Sequence, residues 1–289
     1  MKRALIFVIF LLIIIGCEGA LTNEEIQARI IEANSNLKSY VMDTKMSMNM
    51  KINSSMMNMD MGTELVAHGK VDREDKRLQL VGTATAVMIG MNMNVDTEIY
   101  IIDNVMYQKT PMLWTKETMD EDIWRQQDQL ESMLFLVDGA DIRVVGTERN
   151  EKGTYYVIEI TPNLQKIGDY MMQQQGDEIK TYDFDYEEII DKFLIKIWVN
   201  KKTYVIEKSN IDMKMVLNNE NMDVPEGEGE SSISMQLKSE VELSEIGKPQ
   251  KIELPEEALN STGLTSVGTN IRKSSMGSIT GNVVSDVFG

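Results

Sequence analysis

The 289-residue sequence contains one cysteine, one histidine and five prolines, and its 29 basic side chains are outnumbered by 46 acidic ones. A single cysteine excludes a disulfide framework, a thiolate zinc site and a CxxC redox pair. A single histidine, His68, excludes sites built on two or three imidazoles, and nothing near it in the sequence completes a triad. Gly-rich phosphate loops are absent. The formal charge of −17 disfavours nucleic acid as a partner, because such binding depends on Lys and Arg neutralising phosphates. These absences point away from an enzyme, and no residue pattern calls for a cofactor. What remains is 42% apolar and 26% charged, a balance suited to a folded body rather than a disordered chain.

The first residues carry a targeting pattern. Lys2 and Arg3 precede an apolar run from Ala4 to Ile15, followed by Gly16 and Cys17. A basic start, a short apolar stretch and a small residue before the cleavage point describe a secretory signal, and the run falls short of the roughly 20 apolar residues that span a bilayer. Ile14-Ile15-Gly16-Cys17 resembles the lipobox of exported lipoproteins. The resemblance implies cleavage after residue 16 and a lipid on the sulfur of Cys17, placing the body at the cell membrane, lipid-anchored, on the extracytoplasmic face. The competing reading is an uncleaved anchor helix with an inert cysteine. Loss of Lys2 and Arg3 takes the charge from −17 to −19, which argues against adhesion to anionic headgroups.

Residues 17–21 read as a lipidated tether. Thr22-Asn23-Glu24-Glu25 has the form of a capping box, and Ile26, Ile30, Ala33 and Leu37 follow at helical spacing, predicting a helix to about Ser39. The period then changes to two: Tyr40, Met42, Thr44, Met46, Met48, Met50 and Ile52 share one face of a strand. Further strands are expected near 62–73, 75–89, 92–102 and 104–110, with turns at Asp72–Asp75 and Asp103-Asn104. No proline precedes Pro111, as inner strands require. A second capping box, Thr118–Glu121, heads a predicted helix to about 138, with Ile123, Trp124, Leu130, Leu134 and Val137 on one stripe and Gly139 as the stop. Strands are expected again at 141–149, 153–161, 193–200, 203–217 and 231–243. A polar, acidic insert occupies 163–192, and Lys248–Leu259 reads as a closing edge. Residues 260–289, rich in Ser, Thr, Gly and Asn, read as a flexible tail.

Particular segments carry a family likeness. They are Leu37-Lys38-Ser39-Tyr40 at the junction of helix and first strand, Val105-Met106-Tyr107 followed by Trp114, Tyr155 to Pro162, and Gly247-Lys248-Pro249 to Ile252-Glu253-Leu254-Pro255. With the order of elements, they make residues 22–259 resemble the LolA/LppX-type lipoprotein carrier superfamily, which includes LolA-like and LppX/LprAFG-like proteins. The resemblance implies an α+β fold in which a strongly curved antiparallel half-barrel sheet wraps around helices. It further implies a cavity for a lipid or lipid-like hydrophobic ligand, with Cys17 as the anchor to the membrane and no catalytic residues.

Methionine is abundant, at 23 residues, eight of them between positions 42 and 61. Unbranched and polarizable, it fills irregular spaces and adapts to varied ligands. The candidate lining of an apolar site is therefore Met46, Met48, Met50 and Met88 from strands, with Ile123, Trp124, Leu130 and Leu134 from the second helix. The same residues could equally be ordinary core. Two other functions stay open: a surface lipoprotein with a closed core that engages an envelope protein, or a Met-rich binder of Cu(I), for which thioethers are suitable ligands. Met46, Met48 and Met50 would stand about 7 Å apart along one strand face, too far for neighbours to share an ion without another element. Asp183, Asp185, Glu187 and Glu188 lack an EF-hand pattern and read as a solvated acidic loop rather than a metal site.

Overall fold

The computed structural model describes residues 21–54, 58–88, 91–109, 113–119, 124, 127–167, 186–219, 231–260 and 262–263. The signal, Cys17, Ile123, Asp183, Asp185 and the tail beyond 263 lie outside them. Helix α1 (Asn23–Ser35) leads into six strands, β1 (Ser39–Asn53), β2 (Asn58–Asp72), β3 (Arg77–Met88), β4 (Met91–Ile102), β5 (Val105–Lys109) and β6 (Trp114–Thr118). Helix α2 (Gln129–Val137) precedes β7 (Asp141–Asn150) and β8 (Gly153–Thr161). A short α3 (Tyr186–Ile189) opens the run of β9 (Ile190–Asn200), β10 (Ile206–Asn218) and β11 (Ser232–Ser244), and α4 (Glu256–Leu259) and β12 (Thr262–Gly263) follow.

All strands form one sheet in the order β12-β6-β5-β4-β3-β2-β1-β11-β10-β9-β8-β7. Two meanders, β1 to β6 and β7 to β11, are joined where β1 pairs antiparallel with β11 from Val41↔Ser244 to Asn53↔Ser232. Only β12 pairs parallel, with β6. The order ends at β12 and β7, so the described sheet does not close.

The sheet bends strongly. From β5 to β7 lie ten strands, a width of about 43 Å if flat, whereas two helices side by side cover only about 20 Å. Yet a single buried cluster joins Met106 of β5 and Ile142 of β7 with Ile26 and Ile30 of α1 and Leu130, Met133 and Val137 of α2. A single core that takes in both distant strands and both helices fits a sheet curled around those helices. Gly82 marks one place of tight approach: a Cβ there would sit 2.4 Å from the Val66 carbonyl oxygen and 2.7 Å from the Ala67 Cβ. Glycine inside a strand commonly serves such a bend.

Local chemistry sets the element ends. Thr22 Oγ1 accepts from Glu25 N–H at 3.2 Å and Glu25 Oε2 accepts from Thr22 N–H at 2.8 Å, the expected capping box. Helix α1 stops at Ser35, short of Ser39, because its last turn bonds elsewhere. The Asn34 amide donates to the Tyr204 carbonyl at 3.0 Å and accepts from Ile206 N–H at 3.0 Å. Arg73 Nη1 donates to the carbonyls of Asn34 and Leu37, both at 2.9 Å. Ser39 and Tyr40 then join β1.

The second capping box is corrected in part; its Asp120 and Glu121 lie outside the described residues, and Trp124 and Gln127 are helical as expected. Thr118 is the last residue of β6, a strand the sequence pattern did not mark, and α2 begins at Gln129 with Asp128 as its N-cap, accepting from the N–H groups of Leu130 and Glu131. Asp128 is fully buried. It also accepts from Tyr40 Oη at 2.9 Å and Arg73 Nε at 2.5 Å, so one carboxylate ties α2 to β1 and to the β2–β3 turn. The closing edge is corrected too: the chain from Lys248 runs over the convex face, where Ile252 and Ala258 pack with Tyr100 and Trp114, and the edge strand is β12.

Candidate functional site

Strand pairing assigns every strand residue to one of two faces, since successive side chains alternate. Met42, Thr44, Met46, Met48 and Met50 of β1 face the concave side, opposite Leu243, Val241, Ser239, Leu237 and Met235 of β11. Helix α2 lies over one part of this face. Between them is a cavity of about 110 Å³, walled by Leu130, Met133 and Leu136 from above and by Ile206, Val241 and Leu243 from below. Ser132, Ser209 and Ser239 add hydroxyls, and Gln129 and Lys208 also border a wall that is mostly apolar. An apolar cavity of about 150 Å³ stays dry and accepts benzene, so this hollow by itself admits a small apolar group or one end of a longer chain.

The concave face carries a buried polar atom beside this cavity. Thr44 Oγ1 has no hydrogen-bond partner among the described residues. Thr44 pairs with Val241, which lines the cavity and pairs in turn with Ser209. A buried hydroxyl without a partner costs about 1–3 kcal/mol, and a hydrogen-bonding group supplied from outside would remove that cost.

A larger hollow, about 540 Å³, has different chemistry. Its wall includes Lys45, Glu64, Lys196, Asp212, Lys238 and Glu240, residues that alternate with the buried concave ones and so belong to the convex face. Cross-strand ion pairs span this surface, among them Lys208 with Glu240 at 2.8 Å and Glu242 at 2.9 Å. The Lys208 ammonium holds the Glu240 carboxyl below its ordinary range, and Lys192 does the same for Asp212. Size favours the convex hollow, but an apolar ligand needs oily walls, and those are on the concave side.

The residues expected to line an apolar site fall in several places. Leu130 lines the α2 cavity, and Leu134 is buried on the same helix. Trp124 is buried in the main core. Met46 belongs to that core as well, whereas Met48 and Met50 are buried outside it. Met88 ends β3, its backbone paired with Met61 and Met91. Ile123 lies outside the described residues. Met133, Leu136, Ile206 and Val241 line the cavity without having been singled out, although the helical and alternating patterns containing them are visible in the sequence. His68 sits on the convex side with Nδ1 2.9 Å from Asp43 Oδ1, more than half exposed. Among the described residues no three His, Cys, Asp or Glu side chains converge as a metal site, and no helix is long and apolar enough to cross a membrane.

No curated protein matches the sequence. Among solved structures, LprF from Mycobacterium bovis is similar, at 16% identity and a TM-score of 0.45, over 82% of this chain and 99% of that one. The lipoprotein LppX from Mycobacterium tuberculosis is similar at 13% identity and a TM-score of 0.39, over 80% of this chain and all of that one. A family model matches residues 22–263, nearly the whole described sheet and its helices, and the chain therefore belongs to the family of unknown function DUF6612.

Proposed function

We propose that this protein binds a lipid or lipid-like hydrophobic molecule on the concave face of its sheet, beneath α2, and performs no catalysis. The observation that carries the reading is the α2 cavity, walled by Leu130, Met133, Leu136, Ile206, Val241 and Leu243. The next row of the same face beyond Ile211 and Ser239 of its wall is again apolar, Met213, Leu237 and Met48 in one register. An acyl or isoprenoid tail would enter the cavity with one end and lie along that row with the rest. Each buried CH₂ contributes about 0.8 kcal/mol, so a tail of about ten carbons gains several kcal/mol after ordering costs. Thr44, Ser209 and Ser239 would meet a polar atom of the ligand. Cleavage of the signal and a lipid on Cys17 would hold this site at the outer surface of the membrane, where such ligands reside.

Titration of the full chain with a fluorescent long-chain fatty acid tests the reading. Saturable binding is expected, weakened at least tenfold by Leu136→Trp, which fills the cavity from a half-buried helix position. Absence of saturable binding by the unaltered chain, with its circular dichroism intact, contradicts it.

A further inference from the structure

Thioethers that are remote along the chain become neighbours across the sheet. Met215 pairs with Met235, Met235 with Met50, and Met50 with Met61, and the row continues at backbone level through Met88 to Met91. Four adjacent strands, β10, β11, β1 and β2, thus place methionine at the same level of one face. Along β1 alone the spacing is about 7 Å, but directly paired residues have Cβ atoms about 4.5–5.5 Å apart, and on a concave face their side chains converge further.

Two observations separate this row from ordinary packing. Met48 and Met50 are only 6% and 2% exposed, yet they belong to neither of the two apolar clusters of the fold. Moreover, residue type changes along the same concave face. Where it meets the helices it is built largely of branched aliphatics, Ile158, Ile195, Ile197 and Val241, the types that suit strands. Methionine also occurs in that core, at Met42 and Met46 of β1, but at the level of Met50 all four of β10, β11, β1 and β2 carry it, and its distinguishing chemistry is a soft sulfur donor.

We propose that Met50, Met61 and Met235 form a binding site for Cu(I), a soft monovalent cation held by three thioethers. Met50 lies between the other two, so an ion above its sulfur is within reach of both flexible neighbours. Neutral thioether ligands leave the ion its positive charge, which the field of a chain of formal charge −17 favours. Hard cations such as Mg²⁺ and Ca²⁺ are excluded, because they require oxygen ligands. The site is independent of lipid binding, since leucine can replace methionine as apolar surface but cannot replace its sulfur.

The test is an anaerobic titration of the full chain with Cu(I) against a chromophoric Cu(I) chelator, with X-ray absorption of the loaded protein. One equivalent should be retained in a sulfur-only shell. The triple variant Met50→Leu, Met61→Leu, Met235→Leu should lose at least tenfold in Cu(I) affinity while still binding the fluorescent fatty acid, and Met106→Leu, in the helix-packed core, should bind Cu(I) like the parent. Failure of the unaltered chain to retain Cu(I), equal retention by the triple variant, or nitrogen and oxygen in the metal shell would each overturn the proposal. Fatty-acid binding is read separately, so either reading can fail alone.

Discussion

Asp128 concentrates more of the fold's connections than any apolar residue around it. Its buried carboxylate caps α2, receives the Tyr40 hydroxyl and pairs with the largely buried Arg73. Removal of Asp128 leaves the largely buried Arg73 guanidinium with only Glu131 at 3.9 Å and backbone carbonyls, and breaking such a pair costs up to about 3–5 kcal/mol. Asp128→Ala is therefore expected to lower stability by about that amount in urea unfolding, with Asp128→Asn less damaging because an amide oxygen still caps the helix. Thr44→Val should act in the opposite sense. It removes a buried hydroxyl without a described partner and should stabilise the ligand-free protein by about 1 kcal/mol, while weakening binding of a ligand that offers a hydrogen bond.

Tyr155 supplies a pH signature at the same scale. Burial, with the Glu207 carboxylate that accepts its hydroxyl at 2.7 Å, pushes its phenol from 10.0 to about 12. The folded protein then holds a proton that the unfolded chain releases, so stability falls as pH rises from 10 toward 12. Tyr155→Phe should flatten that part of the stability curve, measured by urea unfolding at stepped pH. The slope should persist in part, because burial and Asp128 push the Tyr40 phenol well above its usual range.

At the scale of elements, the alternating pattern of β1 and the capping box at Thr22 were legible because both are local: side-chain period and cap chemistry act over a few residues. The turn at Asp103-Asn104 was legible for the same reason, and both residues adopt positive φ, at 54° and 60°, as Asp and Asn tolerate. Strand β6 and the true start of α2 were not. Five residues, Trp114–Thr118, are too few for a period to stand out, and the cap at Asp128 depends on a buried partnership with Arg73 and Tyr40 that comes from elsewhere in the chain. The close approach of β2 at Gly82 is likewise tertiary. Gly82→Ala should destabilise by about 1–3 kcal/mol through overpacking, whereas Gly146→Ala, with nothing within 4 Å of a new Cβ, should be neutral or slightly stabilising. Thermal unfolding of the two variants side by side checks the contrast.

At the scale of the whole molecule, the pairing of β1 with β11 joins the two meanders into one concave face, and no local signal announces it. Residues about 180 to 200 positions apart are brought into register, which aligns Met50 with Met235 and sets Thr44 beside the β11 wall of the α2 cavity. Sequence spacing alone set the methionines about 7 Å apart along β1; the cross-strand row is visible only once the sheet is assembled. The proposed attachment through Cys17 also belongs to this scale. Cys17→Ser is expected to move the protein from the membrane fraction to the soluble fraction and to abolish incorporation of labelled fatty acid, leaving the fold of residues 22–263 unaltered.

The central claim is that the concave face holds an apolar guest. Native mass spectrometry of the full chain, released from its own membranes in mild detergent, tests it most directly. The account predicts a discrete added mass of a lipid that is lost in Leu136→Trp. A bare polypeptide mass, or one carrying only the covalent lipid proposed on Cys17, would contradict it.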